Sequence, residues 1–520
     1  MEPDRQVEIQ LGHMCNNRCT FCVSGQRTAM GEALPLAAAP ILERIRAARG
    51  EGHRKITLLG GEPTLQPAFM EVVRECVRLG YEEIVIFTNG VKTARAAVID
   101  EVIATGGQFS WRISLQGATE EEHEATTRKV GSFARILRTL EHLAARDQRI
   151  SVNMCVVGSN YGSVDRFPEL LAPYGVEQVH LDLMRPADAG ERSEEELRAM
   201  MPPLRAFAEP LTKMVQAFGE KFEEGFDVNI GNLPYCIAPH LGHVIHHDGE
   251  ATMTIAIDGD DQLSRPWNKY LVKRRGKVKL PSCAECLFES RCSGVFDTYL
   301  RFHGPGGLTP VTAPVLAAAD PHRRLLALHL LGVVQSLEER WAVEERGAAE
   351  LHLTLRDEPE VRVALRRGAA VGSFGQFGMV CLELLGPVDG RRTHLGALRR
   401  LGAALEAAGY PVVHPVGDDA TLPLRASVAR RLRKIRAAAP FGELSFVDVR
   451  VRDGGRRAEL DFVGPRGERA TVWLEDAEGR ARGGYRLAEG APVTEALTSG
   501  LRELLGLFRR PAIDRAEPPA

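Results

Sequence analysis

The chain has 520 residues, 44% of them hydrophobic, and 66 Lys and Arg against 69 Asp and Glu give a formal charge of −3. That length sets a prior of about three domains with ample material for a core. The balanced charge gives no global argument for nucleic acid, and no apolar run approaches the roughly 20 residues a membrane helix needs. The start, Met1-Glu-Pro-Asp-Arg5, has no apolar stretch behind a basic one, so no secretory signal is read there. A cytoplasmic protein is expected, with no membrane and no nucleic-acid partner.

Strand and helix patterns alternate from the beginning. A strand over 7–12 leads into a cysteine-rich loop and a helix near 36–49. The strand 55–59 runs into Gly60-Gly61-Glu62-Pro63-Thr64, followed by a helix from about 67 to 79, with Pro67 at a start position where its missing N–H is harmless. The strand 83–87 ends in Thr88-Asn89-Gly90, and a helix near 94–105 leads to a strand over 109–115. A helix over 132–146, a strand over 150–157, a helix over 164–172 and a strand over 178–184 follow. Ser193 then caps a long helix through about Phe218, with Glu196 three residues on as in a capping box.

Six strand–helix units in a row call for a parallel sheet with right-handed crossovers. Six are too few for a complete eight-stranded barrel, so the expected fold is α/β, a partial (β/α)6 TIM-like barrel over residues 1–222. Chemistry in such barrels sits at the C-terminal ends of the strands. The cysteine loop, the Gly-Gly-Glu-Pro loop and the Thr-Asn-Gly loop all fall there.

The cysteines are clustered. Cys15, Cys19 and Cys22 form one group; Cys236 precedes a second, Cys283, Cys286 and Cys292; Cys76, Cys155 and Cys381 stand alone in apolar stretches and read as small buried hydrophobes. In a reducing compartment such clusters point to metal or redox chemistry rather than disulfides. Three thiolates at Cys-x3-Cys-x2-Cys can reach three irons of one cubane and leave the fourth open. Structural zinc needs four ligands, and no fourth Cys or His follows nearby.

Cys15-x3-Cys19-x2-Cys22, with Phe21 before the last cysteine, and Gly60-Gly61-Glu62-Pro63-Thr64 together resemble the radical S-adenosylmethionine (radical SAM) superfamily. The resemblance covers roughly residues 5–220. It implies an oxidoreductase-type enzyme in which the three thiolates hold a [4Fe–4S] cluster and S-adenosylmethionine chelates the open iron. One electron then cleaves the sulfonium carbon–sulfur bond, and a 5′-deoxyadenosyl radical abstracts a substrate hydrogen. It further implies that Gly60, Gly61, Glu62 and Pro63 meet the methionine ammonium. Ser114, Gln116, Asn153 and Arg128, the last in a loop after Glu121, would hold ribose and carboxylate, and Leu183 would pack on the adenine. A flavodoxin- or ferredoxin-like protein would supply electrons.

Residues 223–303 lose the strict alternation. Cys283-x2-Cys286-x5-Cys292, with Cys236 as fourth ligand, suits either structural zinc or a second [4Fe–4S] cluster. The tail Cys292-Ser-Gly294-Val-Phe-Asp-Thr-Tyr299 resembles the auxiliary-cluster extensions of the same superfamily, called SPASM or twitch, and four cysteines fit the one-cluster version. His240, His243, His246 and His247 lie between; a strand into the Asp248-Gly249 turn accounts for the last pair better than a further metal site does.

Residues 304–322 read as a Gly- and Pro-rich linker. Beyond it, strands are expected at 350–355, 361–365, 379–385, 444–451, 457–463 and 470–474, and helices near 394–408, 425–438 and 493–508. This makes residues 323–520 an α+β domain of unknown role. Its basic stretch Ala429–Arg436 reads as a solvated helix face.

The expected function is therefore radical SAM chemistry at an unactivated C–H bond of a peptide or a small metabolite. A GTP-cyclising activity is disfavoured by the spacing of the second cysteine group and by the ending Glu-Pro-Pro-Ala520. The alternative is a non-catalytic iron–sulfur or zinc scaffold on the same fold.

Overall fold

The computed structural model of the protein describes residues 6–222, 226–247, 252–258, 261–320, 325–337, 341–345, 350–366, 380–385, 392–408, 410, 412–413, 428, 431–432, 435, 441–453, 456–477, 480–488 and 493–506. The chain divides into two compact units, Met1–Val311 and Thr312–Ala520.

The first unit runs β1 (Gln6–Gln10), α1 (Val23–Met30), α2 (Ala38–Gly50), β2 (Lys55–Leu59), α3 (Phe69–Arg78), β3 (Glu83–Thr88), α4 (Ala96–Ile103) and β4 (Phe109–Ser114). It continues through α5 (Glu120–Thr127), α6 (Ser132–Ala144), β5 (Arg149–Val156), α7 (Phe167–Leu171), β6 (Val176–Leu183), α8 (Glu194–Met200) and α9 (Leu204–Lys221). Then come β7 (Asp227–Gly231), β8 (Ile245–His246), β9 (Thr252–Ile255), β10 (Trp267–Asn268) and α10 (Lys269–Lys273). The bounds of β1–β6 lie within two residues of those expected.

The sheet is larger than the six strands expected. It has ten, in the order β10-β9-β1-β2-β3-β4-β5-β6-β7-β8. Neighbours from β9 to β8 are parallel, and β10 runs antiparallel to β9. The four added strands come from the stretch beyond residue 222 and extend both edges. No hydrogen-bonded pairing joins β8 to β10 among the described residues. The result is an open, TIM-like α/β sheet.

Strict alternation gives each strand two faces. Val7, Ile9, Ile56, Leu58, Ile84, Ile86, Trp111, Ile113, Val152, Met154, Val179 and Leu181 are buried on one. The register aligns the other across neighbours: Glu8 with Thr57, Phe87 with Arg112, Ser114 with Asn153, Asn153 with His180, and Cys155 with Asp182. Lys269 and Lys273 of the five-residue α10 reach Glu8 on β1 and Asp182 on β6, at 2.7 and 3.1 Å. One short helix can bridge strands so far apart in the sheet only across its concave side. The polar face is therefore the lumen.

Several local expectations are corrected. The long helix from Ser193 is two helices: α8 ends at Met200, Met201 is extended, and α9 begins at Leu204. Pro202 and Pro203 cause the break, since proline lacks the N–H and disfavours helix in the residue before it. The capping box of Ser193 and Glu196 is present. Pro67 precedes α3 rather than opening it, a 3-10 turn at Pro63–Leu65 taking up the chain first. The helix expected over 164–172 is one turn, α7, between 3-10 segments. The loop before Arg128 is the helix α5, capped by the Thr119 hydroxyl. The stretch read as linker contains a helix, α12, given below.

After β11 (Lys277–Val278), β12 (Val295–Phe296) and α11 (Asp297–His303), the second unit opens with α12 (Ala313–Ala319) and α13 (Leu326–Gln335). Its first sheet, of five strands, is antiparallel apart from one edge pair, and its second is a four-stranded meander over 445–487. The final described helix, Glu495–Gly506, packs Leu497, Leu501 and Leu504 into the core under that meander. Most of the helix expected near 425–438 lies outside the described residues.

Candidate active site

Two loops lock onto the residues around Cys15. The Gly61 N–H donates to Gly12 O at 2.7 Å, the Glu62 N–H to Met14 O at 2.8 Å, and Gln66 Nε2 to Met14 O at 2.8 Å. A Cβ on Gly61 would lie 2.3 Å from His13 O and 2.4 Å from Met14 O, so this approach requires glycine. From the loop after β3, Asn89 Nδ2 donates to Asn16 Oδ1 at 2.7 Å and to Cys15 Sγ at 3.6 Å. On the other flank, the Arg18 and Thr20 N–H groups donate to Thr127 O and Thr126 O at the end of α5, at 2.9 and 3.0 Å. The cysteine loop is thus fixed by three separate elements, the loops after β2 and β3 and the end of α5.

Cys15, Cys19 and Cys22 are free thiols, each partly buried, and Cys22 is the N-cap of α1. Burial pushes the Cys15 thiol up to about 12, with the Glu62 charge adding to it. Cys19 is raised well above its usual value, first by burial and then by the charges of Cys22 and Cys15. Such thiols stay protonated unless a cation replaces their protons, which is the chemistry of metal binding. In the same loop, Asn17 Oδ1 and Thr20 Oγ1 are buried without hydrogen-bond partners. Three converging thiols that give up their protons only to a metal fit an iron–sulfur group.

The Glu62 carboxylate turns inward and is fully buried. Oε1 accepts from the Thr64 N–H at 3.1 Å, the Thr64 hydroxyl at 2.6 Å and the Thr88 hydroxyl at 2.7 Å; Oε2 accepts from the Asn89 N–H at 2.7 Å. Burial raises its pKa, and these four donors pull it back down only in part. Pro63 is buried and opens the 3-10 turn that follows. Lys92 Nζ donates to Thr64 O and closes the loop.

Ser114 and Gln116 meet at the end of β4, where Gln116 Nε2 donates to Ser114 Oγ at 2.5 Å and Gln116 Oε1 accepts the Cys155 N–H at 2.9 Å. Asn153, opposite Ser114 on β5, is part-exposed on the lumen face. Arg128 is elsewhere: it is the exposed, left-handed C-cap of α5 at φ 51°. Leu183 lies on the apolar side of β6 with Val179 and Leu181, 6% exposed. Phe21 is part-buried in the cysteine loop.

Sequence reasoning missed the charged lumen. Glu8 pairs with Lys269 at 2.7 Å, and Asp182 with Lys273 at 3.1 Å and His180 at 2.9 Å. Burial raises the Glu8 carboxyl, but the Lys269 charge, its hydrogen bond and Arg112 outweigh it and hold the pKa below the usual value. Burial alone pulls Lys269 the other way; the 2.7 Å contact favours the ionised pair. Asp182 is held well below its usual range, Lys273 being the largest opponent of burial. Gly231 makes room for it, since a Cβ there would sit 1.9 Å from Asp182 Oδ1. Cys155 also faces the lumen rather than a core; its thiol is raised by burial, then by Asp182, Asp188, Cys22 and Cys19. The available signal was polar residues at every second position of strands whose other face is apolar.

The second cysteine group gathers as well. Cys236, Cys283, Cys286 and Cys292 line one cavity with Tyr235, Phe288, Leu308 and Pro310. The Gly294 N–H donates to Cys292 Sγ and the Val311 N–H to Cys286 Sγ, both at 3.3 Å. Burial, then the charges of the other three thiols, pushes Cys236 up to about 12. His247 bonds Ser293 Oγ and Leu233 O, both at 2.6 Å, and His240 meets Thr212 Oγ1 at 2.9 Å, so these histidines serve the fold. Among the described residues no three His, Cys, Asp or Glu side chains gather closely enough for a single metal ion.

Residues 9–171 match the model of the Radical SAM superfamily. The matched stretch lies wholly within the first unit. The chain is 29% identical over 198 residues to a probable GTP 3′,8-cyclase of Saccharolobus islandicus, spanning 37% of this chain and 61% of that relative. It is 33% identical over 198 residues to the mycofactocin maturase MftC of Mycobacterium ulcerans, 36% of this chain and 49% of that one. Among solved structures, Streptococcus suis SuiB bound to S-adenosylmethionine aligns with a TM-score of 0.42 at 15% identity, over 58% of this chain and 74% of that one. The structure titled native anSMEcpe with bound AdoMet aligns with a TM-score of 0.43 at 14% identity, over 64% and 100%. No helix among the described residues is long and apolar enough to cross a membrane.

Proposed function

We propose that this protein is a radical SAM enzyme whose Cys15, Cys19 and Cys22 hold a [4Fe–4S] cluster at the C-terminal mouth of the sheet. The observation that carries the reading is the locking of the Gly60-Gly61-Glu62 loop onto the backbone that delivers Cys15. When bound, the reduced cluster supplies the electron that cleaves S-adenosylmethionine, and the adenosyl fragment then takes a hydrogen atom from substrate.

This chain's residues supply position and dryness. Glu62 braces the loop from inside, leaving the Gly60–Gly61 backbone to receive the ammonium of S-adenosylmethionine. Ser114, held by Gln116, and Asn153 offer polar groups to its ribose and carboxylate. Arg128 would have to turn inward from its exposed cap to join them, and Leu183, whose side chain lies on the apolar side of β6, would meet the adenine from the end of that strand through its backbone. Burial of Asn17, Glu62 and Gln116 around the site keeps bulk water from the reacting atoms.

The second group, Cys236, Cys283, Cys286 and Cys292, fits an auxiliary [4Fe–4S] cluster of the SPASM or twitch kind. Support comes from a cavity walled by all four thiols and from backbone N–H groups aimed at two sulfurs, an arrangement that tunes cluster potential. Four Cys ligands leave no open iron, so electron transfer or bracing of the fold is its role. The substrate is a peptide or small metabolite, and a flavodoxin- or ferredoxin-like protein in the cytoplasm is the electron donor.

The test is anaerobic reconstitution with iron and sulfide, reduction, and addition of S-adenosylmethionine. About eight irons per chain and formation of 5′-deoxyadenosine are expected. A fully loaded protein that forms none would refute the enzyme reading. About four irons and one zinc would refute the auxiliary cluster alone.

A further inference from the structure

Arg112 stands on the lumen face of β4, beside Phe87 of β3, and its guanidinium lies 5.7 Å over the Phe87 ring. Its Nε is buried and has no hydrogen-bond partner. The lumen carboxylates are already matched, Glu8 by Lys269 and Asp182 by Lys273. Arg112 acts on Glu8, Lys269 and Tyr270 through its charge, with no hydrogen bond to any of them. The cluster Arg112, Lys269, Lys273, Glu8 and Asp182 therefore keeps one positive charge unmatched.

A guanidinium is always ionised and presents a planar fork of donors that suits a carboxylate two-pronged. The buried Nε of Arg112 is left without an acceptor, which is unfavourable unless a ligand brings one. The place is right for substrate rather than for S-adenosylmethionine. Arg112 lies two residues before Ser114, about 6.6 Å back from the strand end at strand rise, whereas the thiols and the Gly60–Pro63 loop lie beyond the strand ends.

Resting on the reading of the lumen as the reaction chamber, we propose that Arg112 is a substrate-binding residue that takes a carboxylate of the substrate. The carboxylate is either an acidic side chain of a peptide or one end of a small free acid. Glu8–Lys269 and Asp182–Lys273 form the walls that hold the guanidinium free for it.

The test uses reconstituted holoenzyme saturated with S-adenosylmethionine and two matched pairs of probes, read by calorimetry or ligand-observed NMR. The peptide arm compares acetyl-Gly-Glu-Gly-amide with acetyl-Gly-Gln-Gly-amide, and the free-acid arm compares glutarate with glutaramide. At least one carboxylate probe should bind saturably and at least tenfold more tightly than its amide, and the arm that does so names the source. That preference should vanish in Arg112→Gln and survive in part in Arg112→Lys, which keeps the charge and loses the fork. Equal binding of acid and amide in both arms, no saturable binding of either acid, or a preference unchanged in Arg112→Gln would overturn the proposal. Formation of 5′-deoxyadenosine by the wild-type protein alone tests the enzyme reading separately, so the two can fail independently.

Discussion

Glu62 Oε2 accepts the backbone N–H of Asn89 at 2.7 Å, tying the loop after β2 to the loop after β3. The other oxygen takes the Thr64 N–H and two threonine hydroxyls. In Glu62→Gln the hydroxyls can turn, but whichever way the amide lies its NH2 meets one backbone N–H. One buried donor then goes unsatisfied, at about 1–3 kcal/mol. Urea unfolding of the apoprotein should move by that amount while the three thiols still load iron. An unchanged midpoint would mean that the carboxylate does not brace the loops.

Gly61→Ala drives a methyl into His13 O and Met14 O, both backbone atoms that cannot swing away. The cysteine loop must shift, and iron retained at the first site after desalting should fall by more than half. Gly50→Ala, at the end of α2 with open space around it, is the control and should retain iron as the wild type does.

Removing one partner of a buried ion pair strands the other. Lys269→Met leaves Glu8, 5% exposed at its side chain, without its counter-ion and should cost about 3–5 kcal/mol. Adding Glu8→Gln should recover most of that loss in denaturant titrations. Non-recovery would place the effect in α10 itself rather than in the charge.

His123 is wholly buried, its Nδ1 accepts the Gln116 N–H at 3.0 Å, and burial lowers its pKa to about 4. The unfolded chain binds a proton near 6.5 and the folded one does not, so stability is present above 6.5 and falls as pH drops towards 4. From pH 7.5 to 5 this group should cost about 2 kcal/mol. His123→Gln should lose that much less over the same interval. An equal loss in both proteins would contradict the buried neutral histidine.

The cysteine and Gly-Gly-Glu-Pro loops were legible because each rests on local spacing and on glycines with no alternative. Strands β1–β6 were legible from apolar alternation, whose period fixes which residues are buried. The same alternation held the lumen in plain view: Gln6, Glu8 and Gln10, Ser110, Arg112 and Ser114, and Gln178, His180 and Asp182 occupy every second position. It reads as a solvated face until both sides of the sheet are known to be covered. Lys269 and Lys273 could not be found that way. Their meeting with Glu8 and Asp182 depends on β9 pairing with β1 across some 245 residues, which no local pattern encodes. The break at Pro202-Pro203 was legible and should have outweighed the helical periodicity on either side.

If Cys15, Cys19 and Cys22 hold the cluster at which S-adenosylmethionine is cleaved, cleavage must stop when one thiol is removed. The most direct measurement is 5′-deoxyadenosine formed by reduced, iron-reconstituted wild type and Cys19→Ala in parallel, with iron counted in each. The wild type should form product, Cys19→Ala none, and the variant should hold about four fewer irons. Product from Cys19→Ala at the wild-type level, or none from a fully loaded wild type, would contradict that role for the thiols.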